Sequence, residues 1–305
     1  MNYKVLIRDY FPEVLYMRLY VYKLLLRCFP TFMIKRAYKK RFGENLNLKN
    51  PIDLNAKINW LKLYSDTTLW PDLADKYKVR EFVKKKGFGY LLNELYGVWK
   101  SPEEIDFESL PSRFVLKTNN GSGDVIVVKD KSKINEKEIK SRLRNYLRRN
   151  FGVLTAEPHY LKISPRIICE KYLEQSSSFS SSLIDYKFYC SRGKVLSVMV
   201  CFNRIIGGHA EKVIYDLKSW IPCLEYLKPN YRTKEAGHFI PRPVSLDKML
   251  ETSCILSEQF PLVRIDFYEI DDKPLFGEMT FTSEAGYISY LTDEYLEKLG
   301  KMVDL

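Results

Sequence analysis

The 305-residue sequence predicts an α+β fold with more than one lobe. Helix-like and strand-like segments both occur, but they do not alternate in the regular βαβ order of a doubly wound sheet. Hydrophobic residues make up 46% of the chain and aromatic residues 14%, which is enough for packed cores. There is no internal repeat and no long low-complexity stretch, so a solenoid and a disordered chain are both disfavoured.

Five helices are predicted from apolar spacing and end signals. Asp53, Asn135 and Thr292 can each cap a helix with a side-chain oxygen. The lysines at 84–86 followed by Gly87 are typical of a helix end, since cations favour the last turn and glycine the left-handed stop. The predicted helices cover 53–64, 73–86, 135–150, 246–259 and 292–303.

Seven strands are predicted from runs of branched and aromatic residues. The last two should form a hairpin across the turn EIDDKP. A lobe boundary is expected after Leu173, where the polar stretch EQSSSFSSS interrupts the strands. The predicted strands cover 114–117, 125–129, 166–173, 185–190, 195–201, 262–268 and 275–281.

The patterns of cysteine, histidine and charge indicate the cellular compartment of the protein and argue against a zinc site. The six cysteines show no C-x-x-C spacing and indicate free thiols in a reducing compartment, and the three histidines form no zinc motif. Residues 1–42 hold ten Lys or Arg and two acids, a net charge of +8. They contain no membrane span and no signal peptide, so a cytoplasmic protein is expected. This basic, aromatic segment either docks on an anionic membrane or packs as helices against the rest.

The stretch FVLKTNNGSGDVIVVKD predicts two strands around a polar glycine loop. Neither GxxxxGK[ST] nor GxGxxG is present, and the loop leads into a strand instead of a helix. The loop could hold phosphate through backbone N–H groups with Lys117 as a point charge, or it could be an ordinary hairpin loop.

A second pattern lies near the other end of the chain, in VRIDFYEIDDKPLFGEMTFT. Arg264 and Asp266 are two residues apart on one strand, as are Glu278 and Thr280 on the next, so each pair shares a face. Two buried carboxylates need a cation, and oxygen ligands suit Mg²⁺ held with nucleotide phosphates. The alternative is an exposed face with ordinary surface ion pairs.

Five blocks of the sequence resemble the ATP-grasp family, in particular its TupA-like branch of teichuronopeptide biosynthesis. They are ADKYKVREFV, FVLKTNNGSGDVIV, RIICEKYLE, DYKFYCSRGK and RIDFYEIDDKPLFGEMTFT, spread over residues 50 to 290. The resemblance implies two α+β lobes with ATP between them, preceded by a basic helical segment. The expected ranges are 1–50 for that segment, 51–113 for a helical part, 114–174 for the small lobe and 175–305 for the large lobe.

The resemblance also implies which residues contact the nucleotide. Lys76 and Lys117 would contact the phosphates, and either Glu174 or Asp185 the ribose, with Asp185 favoured because it opens a strand. The glycine loop, closing over the phosphates, would comprise Asn119, Asn120, Gly121, Ser122 and Gly123. The interlobe hinge, meeting the adenine edge, would comprise Glu170, Lys171, Tyr172 and Leu173.

The metal and substrate residues follow in the same way. Asp266 and Glu278 match the magnesium carboxylates, while Thr280 stands where many ATP-grasp ligases have asparagine, which puts a second magnesium in doubt. Arg264 matches the arginine that meets the reacting carboxylate; with Lys117 and Lys76 it forms the implied catalytic set. The basic residues between hinge and metal strands suit a polyanionic sugar or form a solvated loop; they are Lys187, Arg204, His209 and Lys212.

The activity implied is ATP- and Mg²⁺-dependent carboxylate–amine ligation through an acyl phosphate. The substrates would be an amino acid or amine and a uronic-acid saccharide of a bacterial capsule or surface polysaccharide. A metal-dependent glycosyltransferase is disfavoured because none of the sixteen aspartates forms D-x-D. A kinase that phosphorylates without ligation stays open, and a module for nucleic acid or membrane is the remaining alternative, although no nucleic-acid partner is expected.

Overall fold

The structure is a computed structural model and describes residues 12–149, 151–175, 179–205, 210–232 and 239–305. Its helices are α1 Pro12–Cys28, α2 Pro30–Phe42, α3 Leu54–Tyr64, α4 Trp70–Ala74, α5 Val79–Lys85, α6 Glu136–Leu147, α7 Phe151–Thr155, α8 Leu246–Ser257 and α9 Asp293–Lys301. Its strands are β1 Leu95–Trp99, β2 Phe114–Thr118, β3 Val125–Val128, β4 Ile167–Lys171, β5 Asp185–Ser191, β6 Lys194–Phe202, β7 Glu211–Tyr215, β8 Val263–Ile270 and β9 Lys273–Thr280.

The first four strands form an antiparallel sheet in the order β1-β4-β2-β3. One face of β2 is buried through Phe114 and Leu116, against Ile139 and Leu143 of α6. Ile139 and Leu143 are four residues apart and therefore lie on one side of the helix, as the apolar spacing of 135–150 predicted. This sheet and α6 share a hydrophobic core.

The other five strands form a second antiparallel sheet in the order β7-β6-β5-β8-β9. β8 and β9 pair directly as the predicted hairpin, with Ile270 opposite Lys273. The central strand β5 is buried along its whole length, because helices such as α8 cover the apolar face and other segments cover the polar one. The large core thus sits around this sheet.

Three of the predicted helix caps are confirmed. Asp53 accepts a hydrogen bond from the Ala56 backbone N–H at 3.0 Å, and Asn135 accepts one from Glu138 at 3.2 Å. Thr292 accepts from the backbone N–H of Tyr295 at 3.3 Å. In each case the oxygen satisfies a donor that has no partner within the helix.

The predicted continuous helix over 73–86 is wrong. The chain forms α4 and α5 instead, with a break at 75–78, because Asp75 turns back on its own backbone. Its Oδ1 accepts from the N–H groups of Tyr77 and Lys78 at 2.8 and 3.2 Å. Such local hydrogen bonds compete with helix geometry. Gly87 does end α5 in the left-handed conformation, at φ +87°.

Two strands were not predicted from the sequence. β1 lies at the edge of the small sheet, inside the range expected to be helical, and an irregularity in its pairing falls between Leu95 and Gly97. β7 lies at the edge of the large sheet. Edge strands are short and half-paired, so their own residue pattern says little until the neighbouring strand is in place.

The N-terminal helices α1 and α2 pack on the rest of the protein. Leu26, Ile34 and Tyr38 are buried against Leu48 and Ala156, in a third core of their own. Within the ranges listed above, no helix is both long enough and apolar enough to cross a membrane.

Candidate active site

The β8–β9 hairpin places the four predicted side chains on one surface. Asp266 lies opposite Glu278, and Arg264 lies opposite Thr280. The Arg264 guanidinium grips Asp266 bidentately, with Nε 2.7 Å from Oδ1 and Nη2 2.7 Å from Oδ2. Parallel donation of this kind is the strongest geometry available to an arginine–carboxylate pair. Asp266 is almost fully buried, and the paired Arg264 guanidinium offsets the energetic cost of burying its negative charge.

Glu278 is the more open of the two carboxylates, with about one third of its side chain exposed (34%). Its Oε1 accepts from Nη2 of Arg264 and from the hydroxyl of Thr280, both at 3.1 Å, and Nζ of Lys76 is 3.7 Å from Oε2. Burial would raise the pKa of Glu278, but the cations of Lys76, Arg264 and Lys187 together lower it to about 2. The group is therefore a permanent anion at physiological pH.

Lys187 on β5 joins a third carboxylate to this network. Its ammonium contacts both Asp266 and Asp185, the latter at 2.6 Å. Nη2 of Arg204 is 3.2 Å from the same Asp185 oxygen. Burial raises the pKa of Asp185, whereas Lys187 lowers it. Oδ1 of Asp185 is buried and has no hydrogen-bond partner among the described residues, so this carboxylate keeps one acceptor available for a ligand.

Lys76 connects the β8–β9 hairpin to the glycine loop. Its ammonium donates to the carbonyl oxygen of Gly121 and its backbone N–H to Asn119, while the same ammonium reaches Glu278. Since the helix predicted around it is broken, Lys76 lies in the turn between α4 and α5 and can face both lobes. Lys76 thus contacts both the glycine loop and β9.

The glycine loop is closed by backbone and ion-pair contacts. Thr118 N–H donates to Asp124 at 3.2 Å, and the Asp124 carboxylate pairs with Arg149 at 2.6 Å. Gly123 has φ +80°, so a side chain there would strain the backbone. Gly121 is in an ordinary conformation, with 3.4 Å from a would-be Cβ to the nearest atom, and Ser122 lies exposed between the two glycines.

The side chain of Asn119, the first residue of the predicted phosphate loop, is already hydrogen-bonded to other parts of the protein. Its side-chain amide donates to Asp75 at 2.7 Å and to the Ser164 carbonyl at 3.1 Å, and its Oδ1 accepts from Arg166 at 2.7 Å. Its backbone N–H donates to Arg166 as well. Asn119 thus holds the base of the loop, whereas Asn120 to Gly123 form its tip.

Lys117 and Glu170 face each other on neighbouring strands of the small sheet. Nζ of Lys117 is 2.7 Å from Oε2 of Glu170, and Nη1 of Arg80 is 3.6 Å from Oε1. All three side chains are mostly buried. Glu170 therefore stands where the sequence predicts the start of the hinge, but its carboxylate serves to hold two cations.

The remaining hinge residues lead out of β4. The Lys171 backbone is fixed on both sides, donating to Glu94 at 3.0 Å and accepting from the Asn93 amide at 2.9 Å. Arg113 lies over the Tyr172 ring at 5.5 Å. Its guanidinium also pairs with Glu174 at 2.7 Å, on the protein surface. Tyr172 and Leu173 are half-buried, and Leu173 precedes the expected lobe boundary.

The structure thus brings most of the predicted residues into two groups. One network joins Lys76, Asp185, Lys187, Arg204, Arg264, Asp266, Glu278 and Thr280, and the other pairs Lys117 with Glu170. Lys212 lies apart, with Nζ over the Tyr290 ring at 5.1 Å. His209 falls outside the described residues.

The donor set fits a magnesium ion that shares its ligands with nucleotide phosphates. No group of three or more His, Cys, Asp or Glu comes together as a metal site within the described ranges. Asp266 and Glu278 offer carboxylate oxygens, Thr280 offers a hydroxyl, and all three are hard oxygen donors. Two protein carboxylates with phosphate and water completing the shell is the arrangement magnesium commonly takes.

A profile of TupA-like ATP-grasp proteins matches residues 56–304, which is most of the chain. The chain belongs to the TupA-like ATP-grasp family. The predictions of this family and of its ATP-grasp fold are therefore confirmed. A search of curated proteins finds no match.

Three solved structures are among those that match the chain. The D-alanine–D-alanine ligase of Bacillus anthracis complexed with ATP is 14% identical, covering 69% of this chain and 55% of its own at a TM-score of 0.38. The Helicobacter pylori D-alanine–D-alanine ligase is 15% identical; the match covers 83% of this chain and 67% of the ligase, with a TM-score of 0.41. An L-amino acid ligase of Bacillus licheniformis is 14% identical; the match covers 70% of this chain and 41% of that ligase, with a TM-score of 0.41. The TupA-like chain spans between 41% and 67% of the length of these structures.

Sequence reasoning missed a clamp beside this site. Asn55, Asn59 and Lys62 lie on one face of α3 and bind successive backbone groups of the segment 285–288. Asn55 exchanges two hydrogen bonds with Ile288, at 2.9 and 2.8 Å. Asn59 donates to Gly286 at 2.8 Å and Lys62 to Ala285 at 2.6 Å. The signal was the spacing N-x3-N-x2-K in a mostly apolar helix, which puts three polar groups on a buried face.

The clamped segment is strained. Glu284, Ala285 and Gly286 all have positive φ, at 48°, 55° and 72°. Two of them are not glycine, and such backbone persists only where the surroundings impose it. The preceding residue, Ser283, has its hydroxyl 3.5 Å from Nη1 of Arg264. The clamp therefore fixes a left-handed turn directly beside the candidate site.

Lys62 is buried within this clamp. Burial lowers the pKa of its ammonium to about 8, although the nearby Glu157 carboxylate opposes this effect. Glu157 in turn accepts a hydrogen bond from Thr282, close to the strained turn. Two buried groups of opposite charge thus brace the turn from one side.

Proposed function

We propose that this protein is an ATP-dependent carboxylate–amine ligase, joining an amino acid or amine to the carboxyl of a uronic-acid saccharide. The proposal places it in the assembly of a bacterial capsular or surface polysaccharide. The observation that carries it is the arginine-clamped carboxylate pair Asp266–Glu278, bound through Lys76 to a glycine loop, in a chain of the ATP-grasp family. That combination suits phosphoryl transfer from ATP to a carboxylate.

In the first step, a carboxylate oxygen of the acid substrate attacks the γ-phosphorus of ATP. The bond from phosphorus to the bridging oxygen breaks, ADP leaves with the electron pair, and an acyl phosphate forms. Lys76 and Lys117 would offset the charge of the phosphates. Asp266 and Glu278 would hold Mg²⁺, which supplies neutralisation of phosphate charge when bound.

In the second step, the nitrogen of the amine attacks the acyl carbon. The carbon–oxygen bond to phosphate breaks, phosphate leaves with the electron pair, and the amine gives up a proton to solvent. Arg264 would stabilise the oxyanion of the tetrahedral intermediate, because its guanidinium lies between the carboxylates and the strained turn. No side-chain nucleophile is required.

The basic residues of the large lobe suit an acidic sugar. Lys187 lies inside the network and Arg204 at its edge, where about half of the Arg204 side chain is exposed. Both are held by Asp185, which balances their charge until an anionic substrate arrives. Asp185 is also the proposed ribose contact, because its free Oδ1 can accept from a hydroxyl.

A kinase that stops at the phosphorylated carboxylate would use the same first step. The proposed location is the cytoplasm, with the basic N-terminal segment in peripheral contact with the inner face of the membrane.

The test is product analysis with the purified protein. ATP, Mg²⁺, a panel of uronic-acid saccharides and a panel of amino acids are combined, and products are identified by mass spectrometry. We expect ADP, phosphate and a new amide in equal amounts, only when acid and amine are both present. Hydroxylamine in place of the amine should give a hydroxamate. A stable phosphorylated product without amide would favour the kinase, and absence of ATP turnover across the panels would contradict the proposal.

A further inference from the structure

Helix α1 exposes an apolar stripe that has no partner in the described chain. Met17, Tyr20, Val21 and Leu24 are 64%, 63%, 45% and 41% exposed, and Cys28 is exposed as well. Their spacing puts all five on one side of the helix, over a length of about 16 Å. Scattered exposed apolar residues are ordinary, but an ordered stripe marks an interaction surface.

The stripe continues around the corner between α1 and α2. Phe29 and Phe32 are 60% and 58% exposed there. The opposite sides of the same helices are buried, since Leu26 and Ile34 are at most 1% exposed. The two helices are therefore anchored by one face and offer the other outward.

The charge beside the stripe is all of one sign. Residues 17–42 contain eight Lys or Arg and no Asp or Glu. The solvent-facing basic residues of α2 are Lys35, Arg36, Lys39, Lys40 and Arg41. A surface with an apolar stripe beside a basic one is complementary to a bilayer, which has anionic headgroups at its surface and hydrocarbon beneath them.

A cleft of about 230 Å³ opens under the corner of the two helices. Its walls include Leu26, Leu63 and Leu161, and its cations are Arg27, Lys62 and Lys162; among the residues that the structure describes, no acidic one lines it. Arg27 and Lys162 are exposed, whereas Lys62 is buried. The cleft therefore offers positive charge and apolar walls together, which suits a phosphate attached to a hydrocarbon.

We propose that α1 and α2 dock on a membrane of anionic phospholipid, with the apolar stripe at the level of the headgroups and a lipid phosphate in the cleft. Basic residues near an anionic bilayer contribute about 1 kcal/mol each, and amphipathic helices add the burial of their apolar side. A nucleic acid would use the basic residues but not the stripe. The docking surface is separate from the proposed ligase reaction.

Docking there would place the membrane next to the candidate active site. Lys62, which lines the cleft, donates to Ala285 at 2.6 Å, and Ser283 of the same turn approaches Arg264. A substrate carried by a membrane lipid would thus arrive on the side where Arg264 lies.

The test compares binding of the full chain to phosphatidylcholine vesicles with and without phosphatidylglycerol. We expect co-sedimentation only with the anionic vesicles, falling as salt rises. The double variants Tyr20→Ser/Leu24→Ser and Arg27→Gln/Lys162→Gln should each bind at least about tenfold more weakly, because the first removes two apolar side chains of the stripe and the second the two exposed cations of the cleft. The double variant Lys137→Gln/Lys194→Gln removes two exposed charges elsewhere and should bind within about twofold of the parent.

A second readout uses Cys28, the exposed cysteine among the six. An environment-sensitive fluorophore on its thiol should shift to the blue with anionic vesicles and not with inorganic phosphate at equal ionic strength. Equal losses in all three double variants, or an unchanged fluorophore on bound protein, would overturn the proposal. So would a dimer that hides the stripe and leaves the vesicles unbound. Because no step needs ATP or a uronic acid, a failed ligase assay would leave this result intact.

Discussion

Asp266 and Glu278 differ in burial and in the cations that they pair with, although both are predicted metal ligands. Asp266 is buried and holds both Arg264 and Lys187, so it neutralises two cations in the core. Glu278 is a third exposed and shares its cations with other carboxylates. Their removal should therefore have different effects on stability.

We expect Glu278→Gln to lower Mg²⁺-dependent ATP turnover by about 100-fold or more while the melting temperature changes little. Asp266→Asn should lose turnover and also about 3–5 kcal/mol of stability, because two buried cations lose a charged partner. Release of ADP and thermal melts followed by circular dichroism measure the two effects. Glu251→Gln, which alters an exposed ion pair with Lys248, is the control. Normal turnover in both site variants would place the metal elsewhere.

Lys117 should act on the phosphates and not on the base. We expect Lys117→Ala to weaken ATP binding by about tenfold or more, since a hydrogen bond to a charged group is lost. Adenosine binding should be unchanged, and the fold should hold because Glu170 keeps Arg80 within 3.6 Å. Calorimetric titration with both ligands measures this, and Lys133→Ala, an exposed lysine, is the control. Equal losses for ATP and adenosine would make Lys117 structural.

At the level of the element, α3 is both a core helix and the support of the strained turn. Leu54, Ile58 and Leu61 pack into the large core, while Asn59 and Lys62 hold the turn. Gly286 permits this closeness, because a Cβ there would lie 2.7 Å from the Asn59 amide. One helix thus couples the packing of the core to the position of Ser283 beside Arg264.

We expect Lys62→Met to lower the rate of amide formation and leave ATP affinity unchanged, because the turn loses a hydrogen bond while the nucleotide contacts remain. A pH signature should accompany it. The pKa of Lys62 falls from 10.5 in the unfolded chain to about 8 in the fold. Between these values only the unfolded chain binds the proton, so stability from this group rises with pH.

The measurement is the free energy of unfolding at pH 8 and pH 10. The parent should gain stability over this interval relative to Lys62→Met. Lys84→Met, at an exposed lysine of α5, should follow the parent in both stability and rate. An identical pH response in parent and Lys62→Met would mean that Lys62 is not held in an apolar environment.

At the level of the whole molecule, the N-terminal helices belong to the folded body. Leu26, Met33 and Tyr38 pack with Leu46 and Ala56 in a core shared with α3. Tyr38 also lies 6.2 Å from the ring of Tyr287, next to the strained turn. The N-terminal helices and the candidate site are therefore parts of one packed unit.

We expect a variant lacking residues 1–42 to melt at a clearly lower temperature, since its loss uncovers Leu46, Leu48, Ala56 and Ala156. The variant Tyr20→Ser/Leu24→Ser, altered only on the exposed stripe, should keep the melting temperature of the parent. Thermal melts of the three proteins measure this. If the truncated protein melted like the parent, the helices would be an appendage instead of part of the core.

The sequence by itself determined the family, the helix caps and the β8–β9 hairpin. These depend on residues close together in the chain: Asp53 caps α3 through Ala56, and EIDDKP brings Asp266 beside Glu278 through one tight turn. Alternation along a strand then put Arg264 on the face of Asp266. Local chemistry of this kind can be read directly from the order of the residues.

Only the tertiary structure decided which partners the charged and polar side chains take. Asn119 is held by Asp75, Lys117 by Glu170, and Lys62 by Ala285, each pair more than forty residues apart. The break at Asp75 is local, but the contacts of Lys76 with Gly121 and Glu278 are not. A buried polar group must find a partner wherever the fold brings one, and no local pattern names that partner in advance.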